Sequence, residues 1–208
     1  MVEINTKYKI GTRRFGYINW IGTYTLYKKE VLRFLIVWIQ TIFSPLVSSL
    51  LFLMVSGEEK GLFGSKFYTD NPIFPLSKTT TNLNIDMVGR KDTIHKNSNY
   101  IYLIGSNRIS KELHKISEQI NNQHIQFNLD YTYNDQNDPN RFYERSDHYN
   151  FAKNGIPVIF YFGGLHEDYH QPTDDVDKID FNKLEKVSQY VFLTAWAVSY
   201  THLRAHET

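Results

Sequence analysis

The 208-residue chain has no cysteine. That excludes disulfides and thiolate-bound zinc, so any metal must rest on His, Asp and Glu. It leaves the cellular compartment open. An excess of charge of either sign is also lacking: 23 Lys and Arg stand against 22 Asp and Glu, a net charge of +1. A general nucleic-acid binder needs a clustered basic face, so the balance argues against that class. There is no internal repeat and no low-complexity tract. Residues 1–54 hold neither His nor Asp, and from Phe34 to Gly57 there is no charged residue at all.

What is present is ordinary for a globular protein, with 41% hydrophobic and 22% charged residues. The length suits one well-cored domain, or a small domain with an appendage. Aromatics reach 15%, mostly Tyr and Phe, which favours strands. Residues 1–33 are polar and basic, with Lys28, Lys29 and Arg33 leading into the uncharged run FLIVWIQTIFSPLVSSLLFLMVSG. That run is long enough for a membrane-spanning helix, placed at 34–55, with a basic flank that would keep the N-terminus cytoplasmic.

From Ser56 onward the texture becomes α/β. Leu50–Val55, Thr81–Val88, Tyr100–Ile104 and Pro157–Phe162 read as strands. Helices are expected near Leu62, over Ser110–Asn121 with Ser110 as its cap, and over Phe181–Ala197. Asn134–Asn140 reads as a loop. Strands alternating with helices predict a mostly parallel (mixed) sheet covered by helices.

Function in open parallel sheets collects at the carboxyl ends of strands. Three such ends here carry similar chemistry: Glu58-Glu59, then Asp86, then the stretch from His166 to His170. Carboxylates and imidazole meeting at one sheet edge suit a divalent zinc site. A fourth loop, Phe142–His148, sits just before an expected helix.

The motifs GEEKGLFGS, NLNIDMVGR, RSDHYNFAKNGIPVIFYF and HEDYHQPTDDVDKI resemble, in order and spacing, the C-terminal part of the co-catalytic zinc aminopeptidases, metallopeptidase family M28, over about 55–197. The resemblance implies a partial three-layer zinc-peptidase fold of the α/β class, preceded here by an apolar helix, and hydrolysis of peptide bonds through a metal-activated water. It makes Glu58 the general base, Glu59 and His170 ligands of one zinc, and Asp86 a ligand of the other. Tyr143 falls where some members place a Tyr that hydrogen-bonds the developing oxyanion; a packed aromatic is the equal alternative. Asp147 and His148 are expected to hydrogen-bond and orient the loop, and His166 to touch substrate or sit at the surface. Asp174, Asp175 and Asp177 are expected to cap a helix or orient His170. His95, His114 and His124 are expected to be solvated. Two zinc ions, a peptide substrate and an extracytoplasmic or secreted home come with the resemblance. Nothing in the residues fixes the oligomeric state.

The family also places a His and a bridging Asp upstream of Glu-Glu, and here that region has neither. Zinc binding is therefore expected to be weak or partial and turnover absent or nearly so. Residues 1–54, through TLYKKEVLRFLIVWIQTIFSPLVSSLLFLMV, are similar to the N-terminus of a type-2 ABC-transporter permease, which makes them a foreign segment and membrane association through 34–55 an expectation. The tail 198–208, VSYTHLRAHET, resembles a translated sequencing adapter, so its His202 and His206 carry no metal expectation. The alternatives to an inactive peptidase are a permease fragment and a peptide-binding pseudo-enzyme.

Overall fold

The computed structural model describes Tyr24, residues 27–29, Val31 and residues 56–205. The chain separates into two compact units, Met1–Leu51 and Phe52–Thr208. In the first, the described residues are helical and exposed. The expected strand Leu50–Val55 and the candidate span 34–55 lie outside the described residues, as does His206. Among the described residues, no helix is long and apolar enough to cross a membrane.

The second unit is a mixed α/β structure. A helix α1 (Phe63–Asp70) precedes strands β1 (Asn82–Asp86) and β2 (Tyr100–Ile104). Helix α2 (Lys111–Ile120) leads to a short β3 (Asn128–Asp130). Helix α3 (His148–Lys153), strand β4 (Val158–Phe162) and helix α4 (Phe181–Ala205) complete it. The sheet order is β1-β4-β2-β3. β1 runs parallel to β4 and β2 parallel to β3, while β2 and β4 are antiparallel.

Side chains alternate across the sheet as a strand demands. On one face Ile101, Leu103, Ile159 and Tyr161 pack with Leu113, Val187 and Tyr190, which come from α2 and α4. On the other, Tyr100, Tyr102, Ile104, Phe160 and Phe162 meet Phe142, and Val158 meets Tyr68 of α1 and Phe151 of α3. Helices thus cover both faces, which is the three-layer arrangement expected. Every residue of β2 and β4 is buried. Continuous apolar runs such as YIYLI and VIFYF are what a strand covered on both faces requires.

Ser110 caps α2 as expected, its hydroxyl accepting from the Leu113 N–H at 3.1 Å. Ser110→Ala should cost about 1 kcal/mol, read as a fall in the urea midpoint with an unchanged slope.

Some elements differ from expectation. The strand expected over Thr81–Val88 stops at Asp86, because Met87 turns into the left-handed region at φ 56°. Helix α4 continues to Ala205 instead of closing at Ala197. β3 pairs only three residues with β2, too few for a periodic signal. His95 is not solvated: its ring stacks on Tyr100 at 3.5 Å and lies between Asp92 and Asp130. His114 is also engaged, 2.9 Å from the Ser106 hydroxyl, whereas His124 is exposed as expected.

Candidate active site

Glu58 and Glu59 ride a single turn, Glu58–Lys60, bracketed by Gly57 and Gly61 at φ 76° and 109°. Both ends need the left-handed region that glycine enters without steric cost. The turn closes when the Gly61 N–H donates to the Glu58 carbonyl at 3.0 Å. Asp86 is the last residue of β1, and His170 belongs to the turns that follow β4. Met87 and His170, both at φ 56°, are left-handed without being glycine. Such backbone costs roughly 1 kcal/mol or more each and collects at functional sites.

These elements bring the expected residues to one cavity of about 930 Å³. Glu58, Glu59, Asp86, His166 and His170 line it, beside Met87, Phe160, Phe162 and Leu165. Across 111 residues of sequence, His170 Nε2 lies 2.8 Å from Glu59 Oε1. Tyr169 stacks on the His170 ring at 3.9 Å. Asp86 Oδ2 accepts from the Ser146 hydroxyl at 2.9 Å, and that hydroxyl accepts from the Asn84 amide, also at 2.9 Å.

Two of these carboxyl groups, Glu58 and Asp86, are raised, first by burial and then by neighbouring charge. Burial, then the charges of Asp86, Glu59 and Asp147, push Glu58 up to about 7, with Arg145 opposing. Burial also raises Asp86; the Ser146 hydrogen bond offsets part of this, and Asp147 and Glu59 add to it. Asp147 therefore acts on the site through its charge. Its Oδ1 is buried without a hydrogen-bond partner, and it does not cap α3.

Three of the expected residues, Asp147, Tyr143 and His148, do not line the cavity. The Tyr143 ring packs beside Gly105, with the Arg108 guanidinium 3.9 Å above it. The phenols that do line the cavity are Tyr149 and Tyr169. His148 is wholly buried, stacked on Phe160 at 4.7 Å, and burial pushes its imidazole down to about 3. It is a packing residue of the loop. His166 stands in the cavity wall with Asp174 at 3.8 Å, its imidazole lowered first by burial and then by Arg90.

Arg90 is a residue the sequence did not single out, although it closes the NLNIDMVGR motif. It pairs with both Asp168 and Asp174, and Lys178 reaches Asp168 at 2.7 Å. The turns bearing His170 are thereby fastened to the segment after β1.

The sequence model of peptidase family M28 matches residues 30–195, most of the chain. The chain belongs to peptidase family M28. The match takes in 30–54, upstream of the motifs that begin near residue 55. No curated protein matches the M28 chain. Among solved structures, it is similar to a zinc aminopeptidase from Bacillus subtilis, with a TM-score of 0.52 and 23% identity, covering 71% of this chain and 34% of that one. The LapA aminopeptidase of Legionella pneumophila aligns with a TM-score of 0.55 and 18% identity, covering 69% of this chain and 37% of that one. At these identities the likeness shows the fold. The chain spans about a third of the length of these solved structures.

The family implies zinc, and the donor atoms here answer that only in part. Zinc in catalytic sites takes three protein ligands and leaves one position open. Glu59 and His170 converge, but Asp86 is held by Ser146, and among the described residues no group of three or more His, Asp or Glu is arranged to hold a metal ion. The described residues therefore do not fit a complete zinc centre.

Proposed function

We propose that this chain carries the substrate-facing part of an aminopeptidase-type zinc peptidase site, takes peptides into its cavity, and does not turn them over. The approach of His170 to Glu59 carries this reading. Two exposed side chains from distant elements are held face to face at the mouth of a cavity. Beside them stands Glu58, whose carboxyl lies near neutrality, where a carboxylate can accept a proton. Residues 1–57 contain no His and no Asp to add to the pair, so no step through zinc is assigned to this chain. The extracytoplasmic location common to such peptidases belongs to the same proposal.

The test uses the full chain with a leucine chromogenic amide and added zinc. The expected rate equals that of buffer with zinc, and calorimetry with zinc alone is expected to show weak binding or none. Hydrolysis that disappears in Glu58→Gln, or tight stoichiometric uptake of two zinc ions, would overturn the inactive reading.

A further inference from the structure

The cavity has a second kind of chemistry that the peptidase motifs do not use. Three cations other than histidine line it: Arg90, Arg145 and Lys153. Arg90 is consumed by Asp168 and Asp174. Among the described residues, Arg145 and Lys153 form no ion pair with any carboxylate. Instead they rest on rings, Arg145 with its guanidinium carbon 5.1 Å from the Phe142 centroid and Lys153 with Nζ 4.5 Å from that of Tyr149.

Their placement is ordered. Arg145, Tyr149 and Lys153 recur every fourth residue, from the turn before α3 to its last residue, and all three line the cavity. Tyr149 and Lys153 are four apart on α3 and share a face, and Arg145 stands in the turn just before that helix, so the three give one side of the cavity two cations and a phenol. Arg145 lines the same cavity as Glu58, Glu59 and Asp86, and its neighbour Ser146 donates to Asp86 at 2.9 Å, which sets the start of this wall beside the carboxylates. One end of the cavity thus carries Glu58, Glu59 and Asp86, and the neighbouring side carries Arg145 and Lys153, while Glu144, which also lines the cavity, is taken up by Arg141.

We infer that the wall formed by Arg145, Tyr149 and Lys153 recognises a carboxylate of the bound peptide, so that the cavity selects short peptides with an amine at one end and a free carboxylate within reach of this wall. The inference rests on the reading that the cavity takes peptides. A guanidinium offers a fixed fork of donors to a carboxylate, and an ammonium adds a movable point charge. The phenol between them supplies a further donor and a flat surface for the peptide stem. Carboxylates at the acidic end would repel that group and favour the amine, so the two charge zones together set the ligand's direction. Both cations are exposed, so the effect is moderate and weakens with salt.

The source of the carboxylate is either the peptide's C-terminus or an acidic side chain. Calorimetry on the full chain with Leu-Gly-Gly, its C-terminal amide and Leu-Glu-Gly amide separates them. The free acid is expected to bind about tenfold more tightly than its amide at low salt. That ratio should move toward one at high salt and in Arg145→Gln and Lys153→Gln. Recovery of affinity by Leu-Glu-Gly amide means the wall reads any carboxylate; no recovery means it reads the terminal one. Equal binding of acid and amide, or a ratio unchanged in both variants, overturns the inference while the peptide site stands. Failure of every peptide to bind overturns both.

Discussion

Gly163→Ala is expected to be among the most damaging single-atom additions to this fold. A Cβ at that position would stand 2.2 Å from the Met87 carbonyl oxygen and 3.3 Å from the Val88 Cα. Both are backbone, so no side chain can swing aside. Either the chain leaving β4 or the segment after β1 has to move; the first leads into the turns that carry His170, and the second directly follows Asp86. The Gly163 carbonyl is also fixed, accepting from the Tyr100 hydroxyl at 2.6 Å. Overpacking of this kind costs about 2–3 kcal/mol. Urea melts of the full chain should show that loss. Gly155→Ala is the comparison: its Cβ meets nothing within 4 Å, and only its φ of 77° opposes the change, at about 1–2 kcal/mol. Equal losses in the two variants would mean that the backbones at 87 and 163 part without cost.

Asp92→Asn is expected to be the other large change. The carboxylate is 2% exposed and accepts from the N–H groups of Ile94 and His95 at 3.1 and 2.8 Å. The Tyr102 hydroxyl donates to its other oxygen at 2.7 Å. Asn loses the charge and puts an NH2 donor where Tyr102 now donates, so that hydroxyl must turn and its present bond is lost, which should cost about 2–3 kcal/mol. Burial alone would raise the Asp92 carboxyl, but the hydrogen bonds from His95 and Tyr102 outweigh it and hold the group below its ordinary 3.8. A depressed folded-state pKa adds stability above the unfolded value, and that stability is lost as pH falls through the folded one. Melts across the acid range should therefore show wild type losing its advantage below about pH 3.8, with a flatter limb in the variant. Parallel acid limbs would remove Asp92 from the account.

Much of the fold was legible because its strands are extreme. YIYLI and VIFYF are too short for helices and too apolar for a surface, so the sheet core followed from composition alone. The capping of α2 was legible for the same kind of reason, a Ser placed before an apolar period. β3 was not, since Asn128, Leu129 and Asp130 carry one apolar side chain between them and owe their conformation to pairing with β2. At the site, the motif placed Glu58, Glu59, Asp86 and His170 on one cavity: Asp86 ends β1, and the others stand in the turn 58–60 and in the turns after β4. It did not place Tyr143, whose loop is set by packing against Arg108 and Gly105 rather than by periodicity. The sequence pattern suggests a solvated His95 and gives Asp92 no role. Their spacing of three, with Asp92 accepting from the backbone ahead of it, is a turn signal that could have marked a buried polar centre.

The position of β4 has a consequence for synthesis. It lies between β1 and β2, parallel to one and antiparallel to the other, and its partner Asn82 is paired with Val158, far along the chain. Until residue 162 has left the ribosome, β1 and β2 have no common neighbour and the sheet has a gap at its centre. Pairings of such long range form slowly, because loop closure precedes any reward. Meanwhile VIFYF, uncharged and rich in β-forming residues, is a segment that other nascent copies could pair with. The strand that holds the finished molecule together is thus the one most exposed to misassembly while the molecule is being made.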